Sequence, residues 1–143
     1  MKAGNVVLVG RPNAGKSTLI NSLVNRKVSI VTNKPQTTRK TIQGYWWDDE
    51  AQIVFWDTPG ILKKAKGLVI TKANLLPQLS LDNADLVVYL IDQTRSKGDE
   101  ENRTLGMVRK INKPKILAFN KIDSKRSNYL HEYTFLKEEF TDW

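Results

Sequence analysis

Short runs of apolar residues alternate along the chain with longer segments in which apolar residues recur every three or four positions. The runs predict strands over residues 5–9, 41–47, 52–56, 86–91 and 115–119, and the periodic segments predict helices over 16–24, 100–111 and 128–140. Three of the runs (5–9, 86–91 and 115–119) are continuously apolar, which is typical of strands covered on both faces in a parallel sheet. The alternation of strands and helices predicts a doubly wound α/β domain.

Two of the predicted strands, 41–47 and 52–56, are separated only by Asp48, Asp49 and Glu50. Such a short connection joins antiparallel strands, because parallel strands need a much longer crossover. The sheet is therefore predicted to be mostly parallel, with one antiparallel hairpin at its edge. Residues 67–81 receive no assignment, because Pro77 would break or kink a helix there.

The composition fits a single soluble domain and narrows its chemistry. The chain has 143 residues, of which 40% are hydrophobic and 27% are charged. Cysteine is absent and His131 is the only histidine, which excludes disulfides, thiolate catalysis and a histidine-based zinc site. The sequence has no apolar run as long as a membrane span and no secretory signal at Met1, so we expect a cytoplasmic location.

The net charge of +8 comes from the first half of the chain. Residues 1–72 hold 12 basic and 4 acidic side chains, whereas residues 73–143 hold 11 of each. Residues 26–40 contain five of the basic side chains and no acid. This segment is either a solvated basic face or a surface that meets a polyanion such as nucleotide phosphates, RNA or anionic lipid.

Residues 10–17 read Gly-Arg-Pro-Asn-Ala-Gly-Lys-Ser and lie between a predicted strand and a predicted helix. This is the pattern of a phosphate-binding loop, whose glycines let successive N–H groups point at one anion. Lys16 would bring its charge to the β- and γ-phosphates, the Ser17 hydroxyl would bind Mg²⁺, and the start of the helix would add its positive dipole end. The segment therefore predicts a nucleoside-triphosphate site. Its predicted nucleotide-binding residues are Asn13, Ala14, Gly15, Lys16, Ser17 and Thr18.

A second motif, Asp57-Thr-Pro-Gly60, follows the predicted strand 52–56. A carboxylate at the end of a buried strand can hold Mg²⁺ through water, and the N–H of Gly60 can reach the γ-phosphate. The motif is unspecific by itself, because short sequences of this form also occur in ordinary turns after strands.

A third motif, Asn120-Lys121-Ile122-Asp123, follows the predicted strand 115–119. The Asp123 carboxylate could accept hydrogen bonds from the N1–H and the exocyclic amine of guanine, which adenine does not offer in that geometry. The alternative is a turn closed by a salt bridge. Because all three motifs lie at the carboxyl ends of predicted strands, they together predict a guanine-nucleotide site containing Asn120, Lys121 and Asp123.

These motifs resemble those of small GTPases. The phosphate loop together with Lys34-Pro-Gln-Thr-Thr38-Arg39 is similar to the Era family of bacterial ribosome-assembly GTPases, and the resemblance covers essentially the whole chain. It implies a P-loop NTPase three-layer sandwich over residues 1–143, with GTP, GDP and Mg²⁺ as ligands and slow GTP hydrolysis as a conformational switch. It makes Thr38 the first-switch threonine that closes on Mg²⁺ and the γ-phosphate. The implied metal ligands are Ser17, Thr38 and Asp57, and the implied catalytic residues are Lys16, Thr38, Gly60 and Asn13.

The resemblance also sets expectations about what lies outside the chain. Family members continue through one more strand, a Ser-Ala loop and a helix, so we expect a C-terminally truncated G domain. Family members then carry a KH-type RNA-binding domain, which clamps RNA with a G-x-x-G loop. No two glycines of this chain have that spacing, so we expect that loop to be absent here. The parent protein is thereby expected to bind 16S rRNA and the small ribosomal subunit. Peripheral association with the inner face of the membrane is a further expectation.

The hydrolytic machinery is expected to differ from that of Ras-like GTPases, in which a glutamine after the second motif orients water. Here that residue is Ile61, which can neither donate nor accept a hydrogen bond. The family suggests that the Asn13 side chain helps to bind K⁺ beside the phosphates, and the alternative is a hydrogen bond that stabilises the loop. Two other function classes stay open: a phosphate-loop kinase or ATPase, and a nucleotide-holding module without hydrolysis.

Overall fold

The computed structural model describes residues 1–24, 42–57, 83–125 and 128–139. These residues form five strands, three α-helices and one 3₁₀ helix. The strands are β1 (Lys2–Val9), β2 (Ile42–Trp47), β3 (Ala51–Asp57), β4 (Leu86–Asp92) and β5 (Lys115–Asn120). The helices are α1 (Lys16–Val24), α2 (Asp99–Arg109), the 3₁₀ helix (Leu130–Tyr133) and α3 (Phe135–Glu139).

The five strands form one sheet in the order β2-β3-β1-β4-β5. Strand β1 pairs in parallel with β3 and β4, and β5 pairs in parallel with β4. Strands β2 and β3 pair antiparallel at the edge, joined by a turn in which Asp48 Oδ1 accepts hydrogen bonds from the backbone N–H groups of Glu50 and Ala51. The predicted mostly parallel sheet with an antiparallel edge hairpin is confirmed.

Both faces of the sheet are covered, because side chains of a strand point alternately to opposite faces. Leu8 packs with Ile20 and Val24 of α1 on one face. Val7 and Val9, its neighbours in β1, belong to a second buried cluster on the other face, which includes Leu105 and Val108 of α2 and Tyr133 and Leu136 of the C-terminal segment. The fold is the predicted three-layer α/β sandwich.

Helix α1 lies close to the edge hairpin because β2 has a glycine beneath it. A Cβ atom at Gly44 would lie 2.5 Å from Cγ2 of Ile20 and 3.2 Å from Cγ1 of Val24. No side chain fits in that space. Gly44 therefore fixes how closely the helix that follows the phosphate loop can approach the sheet.

The predicted elements differ from the observed ones mainly at two places. Strand β1 begins at Lys2 rather than at residue 5, because Lys2, Ala3 and Gly4 continue the ladder with β3. The single helix predicted over 128–140 is wrong: the structure has a 3₁₀ turn and the short helix α3. Asn128 Oδ1 accepts a hydrogen bond from Leu130 N, which is an Asx turn that delays the helix start. Residues 67–81 and Phe140 lie outside the described residues.

Candidate functional site

The phosphate loop joins β1 to α1 in a conformation that few residues adopt. Gly15 has φ of +103° and Asn13 has φ of 64°, both in the left-handed region. A Cβ at Gly15 would also lie 2.3 Å from Nδ2 of Asn120, so this position needs glycine for space as well as for conformation. Gly10 is equally confined, because its Cβ would lie 2.5 Å from the Leu90 carbonyl oxygen of β4. The two motif glycines are thus explained by the site's geometry.

Lys16 is the first residue of α1 and is almost buried, with 6% of its surface exposed. Its Nζ donates hydrogen bonds to the carbonyl oxygens of Gly10 and Arg11, both at 2.9 Å. Burial lowers the pKa of Lys16, and the negative charge of Asp57 opposes that effect. The ammonium group is therefore held within the turn of the loop. Ser17 is half-buried and Thr18 is exposed in the same helical turn.

Asp57 ends β3 beside the phosphate loop, and its carboxylate suits a cation. The Oδ1 atom is buried and has no hydrogen-bond partner among the described residues. Burial raises the pKa of Asp57 to about 6, although the charge of Lys16 opposes that rise. A buried oxygen without a partner is costly unless a ligand satisfies it, and carboxylate oxygens are ligands that Mg²⁺ prefers. The Asp57 carboxylate therefore fits a cation such as Mg²⁺.

That ion would need further ligands from the nucleotide. Within the ranges that the structure describes, no group of three or more histidine, aspartate or glutamate side chains could hold a metal by itself. Mg²⁺ in nucleotide sites is bound through one or two protein groups together with phosphate oxygens and water. A magnesium ion on Asp57 would therefore take most of its ligands from bound phosphate groups and from water.

The first two side chains of the third motif contact the backbone of the phosphate loop. Asn120 ends β5, and its Nδ2 donates a hydrogen bond of 2.8 Å to the carbonyl oxygen of Ala14. Lys121 has φ of 60°, and its Nζ donates a hydrogen bond of 2.9 Å to the carbonyl oxygen of Asn13. Asp123 is exposed in the following turn, which Ser124 N closes on the Lys121 carbonyl at 3.1 Å. Asn120 and Lys121 therefore hold the phosphate loop by hydrogen bonds, and the Asp123 side chain is exposed.

One residue of the site was missed by the sequence analysis. Asp92 ends β4 and is 1% exposed, and its Oδ2 accepts hydrogen bonds from Lys121 Nζ at 2.8 Å and from Arg95 Nε at 3.0 Å. Arg95 in turn donates to the Pro12 carbonyl at 2.8 Å. Burial by itself would raise the pKa of Asp92, but hydrogen bonds from Lys121 and Thr94 outweigh it and lower that pKa to about 2. The sequence signal for Asp92 is its position, because it is an acidic residue directly after the continuously apolar run 86–91.

The structure brings together most of the predicted nucleotide site and leaves part of it outside the described residues. The described members are Asn13, Ala14, Gly15, Lys16, Ser17, Thr18, Asp57, Asn120, Lys121 and Asp123. Thr38, predicted to close on Mg²⁺ and the γ-phosphate, and Gly60, predicted to reach the γ-phosphate, lie outside the described residues, as do Arg39 and Ile61. Asn13 is exposed, and its backbone carbonyl rather than its side chain makes the contact with Lys121.

Comparisons with known proteins place the chain among GTPases. Residues 5–121 match the family described as 50S ribosome-binding GTPase. GTPase Era of Lactobacillus delbrueckii subsp. bulgaricus is 44% identical over 131 residues, which cover 90% of this chain and 42% of that protein. The chain thus spans less than half the length of this curated relative.

Two solved structures resemble the chain over nearly its whole length. One is Era in complex with MgGDPNP and a segment of 16S ribosomal RNA, with a TM-score of 0.77 and 34% identity. The other is a variant of Aquifex aeolicus Era bound to GDP.AlF4-, with a TM-score of 0.76 and 35% identity. Each comparison covers 99% of this chain and 49% of the other.

Proposed function

The chain belongs to the family of 50S ribosome-binding GTPases, and on this premise we propose that it is an Era-type G domain that binds GTP and GDP and hydrolyses GTP. One observation carries the proposal. The side chains of Asn120 and Lys121 donate hydrogen bonds to the carbonyl oxygens of Ala14 and Asn13, so that the predicted base-binding and phosphate-binding segments are in direct contact. A turn closed only by its own salt bridge would not reach the phosphate loop.

The guanine base is recognised by Asp123 in this proposal. Its carboxylate is exposed one turn after the two residues that hold the phosphate loop. It would accept hydrogen bonds from the N1–H and the exocyclic amine of guanine, whereas adenine would face it with an unprotonated ring nitrogen. The arrangement favours a guanine over an adenine nucleotide, which argues against the kinase and ATPase alternatives.

The phosphates are bound by the loop and by Lys16. The N–H groups at the start of α1 point towards an anion at the helix terminus, and the Lys16 ammonium adds a full charge there. Asp57 and Ser17 would hold Mg²⁺, with Thr38 as a third ligand in the GTP state. When bound, Mg²⁺ neutralises charge on the β- and γ-phosphate oxygens. Gly60 would donate its backbone N–H to the γ-phosphate.

Hydrolysis is proposed to be slow in the isolated chain, because Ile61 cannot orient the attacking water. The side chain of Asn13, in the exposed left-handed part of the loop, is our candidate for binding K⁺ beside the phosphates. A monovalent cation there would stabilise charge that develops during phosphoryl transfer. Rearrangement of residues 26–40 and 57–72 between the GTP and GDP states would make the domain a switch.

We further propose roles for the longer protein from which such a domain comes. The structure of Era with nucleotides of 16S ribosomal RNA supports binding of that RNA by the parent protein, and we extend the proposal to the small ribosomal subunit. The basic excess in residues 1–72 is consistent with a polyanionic partner. A cytoplasmic location with peripheral association at the inner face of the membrane completes the proposal, and the described residues include no helix able to span a membrane.

The test is a fluorescence titration of the chain with labelled GDP and labelled ATP in buffer containing Mg²⁺ and K⁺. We expect saturable binding of GDP and none of ATP. Lys16→Ala should abolish GDP binding, because the charge that faces the phosphates is removed, whereas Lys110→Ala, an exposed lysine after α2, should bind like the wild type. GDP binding by Lys16→Ala with unchanged affinity would refute the phosphate-loop assignment. Multiple turnover of GTP would exclude the nucleotide-holding module.

A further inference from the structure

Arg11, the second residue of the phosphate loop, has a charged side chain that is buried away from solvent. It is held by three groups from distant parts of the chain. Its two terminal nitrogens donate hydrogen bonds to the Ser96 carbonyl at 3.1 Å and to the Tyr133 hydroxyl at 3.2 Å, and its Nε lies 2.5 Å from Oε2 of Glu101. This third contact is an ion pair, and neither of its two atoms has a hydrogen-bond partner among the described residues.

The partners of Arg11 are themselves fixed. Glu101 of α2 is 1% exposed, and its other carboxylate oxygen accepts a hydrogen bond from the Tyr89 hydroxyl. Burial raises the pKa of Glu101, while the Tyr89 hydrogen bond and the charge of Arg11 oppose that rise. The Tyr133 hydroxyl donates to the Arg95 carbonyl at 3.1 Å. Burial raises the pKa of Tyr133 to about 12, so the hydroxyl keeps the proton that it donates.

The backbone of Arg11 connects this buried cluster to the phosphate-binding lysine. The carbonyl oxygen of Arg11 accepts the 2.9 Å hydrogen bond from Lys16 Nζ and a 3.1 Å hydrogen bond from Ala14 N. Arg11 therefore contacts the Lys16 ammonium through its carbonyl, while its side chain is anchored on α2 and on the 3₁₀ helix. A buried ion pair is seldom explained by stability, because two well-packed apolar side chains often do as well.

We propose that Arg11 is a positioning residue for nucleotide binding: its guanidinium, anchored by Glu101 and Tyr133, fixes one of the two carbonyl groups that hold the Lys16 ammonium. Through Tyr133, the C-terminal segment 128–139 then contributes to nucleotide affinity without touching the nucleotide. This inference rests on the proposed function, since it concerns the phosphate half of the same site.

The mildest test is Tyr133→Phe, which removes one hydroxyl and leaves the ring in the core. The affinity of the chain for labelled GDP should fall roughly three- to tenfold, a change of the size expected for the loss of one ordinary hydrogen bond. The matched control is Tyr129→Phe, because the Tyr129 ring packs on the same cluster but its hydroxyl is not a partner of Arg11. The affinity of the control should equal that of the wild type.

Loss of packing is separated from loss of positioning by measuring the free energy of unfolding of every variant. Val108→Ala removes buried methyl groups from the same core cluster and should reduce stability without changing GDP affinity at a temperature where the chain is folded. Truncation of Arg11 alone would leave the Glu101 carboxylate buried and unpaired. The double variant Arg11→Met with Glu101→Gln removes both charges, and we expect it to fold and to bind GDP more than tenfold more weakly.

The outcomes distinguish the inference from the function on which it rests. If the wild type does not bind GDP, the proposed function fails, and the positioning role fails with it. If the wild type binds GDP, and both Tyr133→Phe and the folded double variant bind it with wild-type affinity, only the positioning role is overturned. A weaker affinity in both variants, with Tyr129→Phe and Val108→Ala unchanged, supports it.

Discussion

Replacing Asp92 with asparagine should weaken both the fold and the nucleotide site. The carboxylate of Asp92 joins Lys121 and Arg95, and these two cations hold the Asn13 and Pro12 carbonyls of the phosphate loop. Asparagine keeps an oxygen for Thr94 but loses the charge that attracts both cations. The loop should then be ordered less firmly against the end of β5.

The expected loss of stability follows from the pKa of Asp92, which the fold lowers from 3.8 to about 2. At about 1.4 kcal/mol for each pH unit, this shift corresponds to roughly 2.5 kcal/mol in favour of the ionised carboxylate. The side chains of Lys121 and Arg95 are 38% and 35% exposed, so water screens part of that interaction. We therefore expect Asp92→Asn to lower the free energy of unfolding at neutral pH by about 2 kcal/mol.

The pH dependence has a definite direction. A carboxyl group with a depressed pKa stabilises the folded state above the pKa that it has in the unfolded chain, and loses that contribution as pH falls. The difference in unfolding free energy between the wild type and Asp92→Asn should be constant above about pH 5 and shrink progressively as the pH falls to about 2. A difference that grows towards low pH would contradict the assignment of the carboxylate as ionised and paired.

The assay is urea unfolding of both proteins over this pH range, with labelled GDP titrated at neutral pH. The matched control is Asp85→Asn, at the other end of β4, where the exposed carboxylate accepts one hydrogen bond of 2.7 Å from Asn5 N. Asp92→Asn should reduce GDP affinity by about tenfold and Asp85→Asn should not. Equal affinities in the wild type and Asp92→Asn would refute the role of Asp92 in ordering the loop.

Three further substitutions test other parts of the site. Asp123→Asn should shift preference from guanosine towards xanthosine nucleotides in a competition titration, and an unchanged preference would count against the base assignment. Gly15→Ala should abolish GDP binding, because its Cβ would lie 2.3 Å from Nδ2 of Asn120, whereas Gly98→Ala, with open space around it, should bind normally. Asp57→Asn should remove most of the gain in GDP affinity that Mg²⁺ gives over EDTA; a gain equal to that of the wild type would argue against Asp57 as the metal residue.

The sequence was sufficient to predict the sheet and the three motifs because both depend on local patterns. Continuously apolar runs such as 86–91 are what a strand covered on both faces requires, and the glycine positions of the phosphate loop follow from its backbone. The structure explains Gly15 more fully than the motif does, since the Asn120 side chain leaves no room for a Cβ.

The parts that could not be predicted depend on contacts between residues far apart in the chain. Asp92 is an ordinary acid in the sequence, and only the fold brings it to Lys121, 29 residues later. The buried Arg11 is not distinguished in the sequence from other basic residues of the first half, because its three partners lie 85 to 122 residues away. The break in the C-terminal helix depended on an Asx turn at Asn128, whose signal competes with a regular apolar stripe.

The two hydrogen bonds between the third motif and the phosphate loop have a consequence for how the protein folds. They span 106 and 108 residues, so closing them requires that β1, β4 and β5 be paired first. Although the phosphate loop is synthesised before β5 and Lys121, its conformation cannot be completed until they have followed. A competent site should therefore be among the last parts to form and among the first to open. A nucleotide bound there would raise the unfolding temperature of the whole sheet in one transition, rather than that of the loop alone.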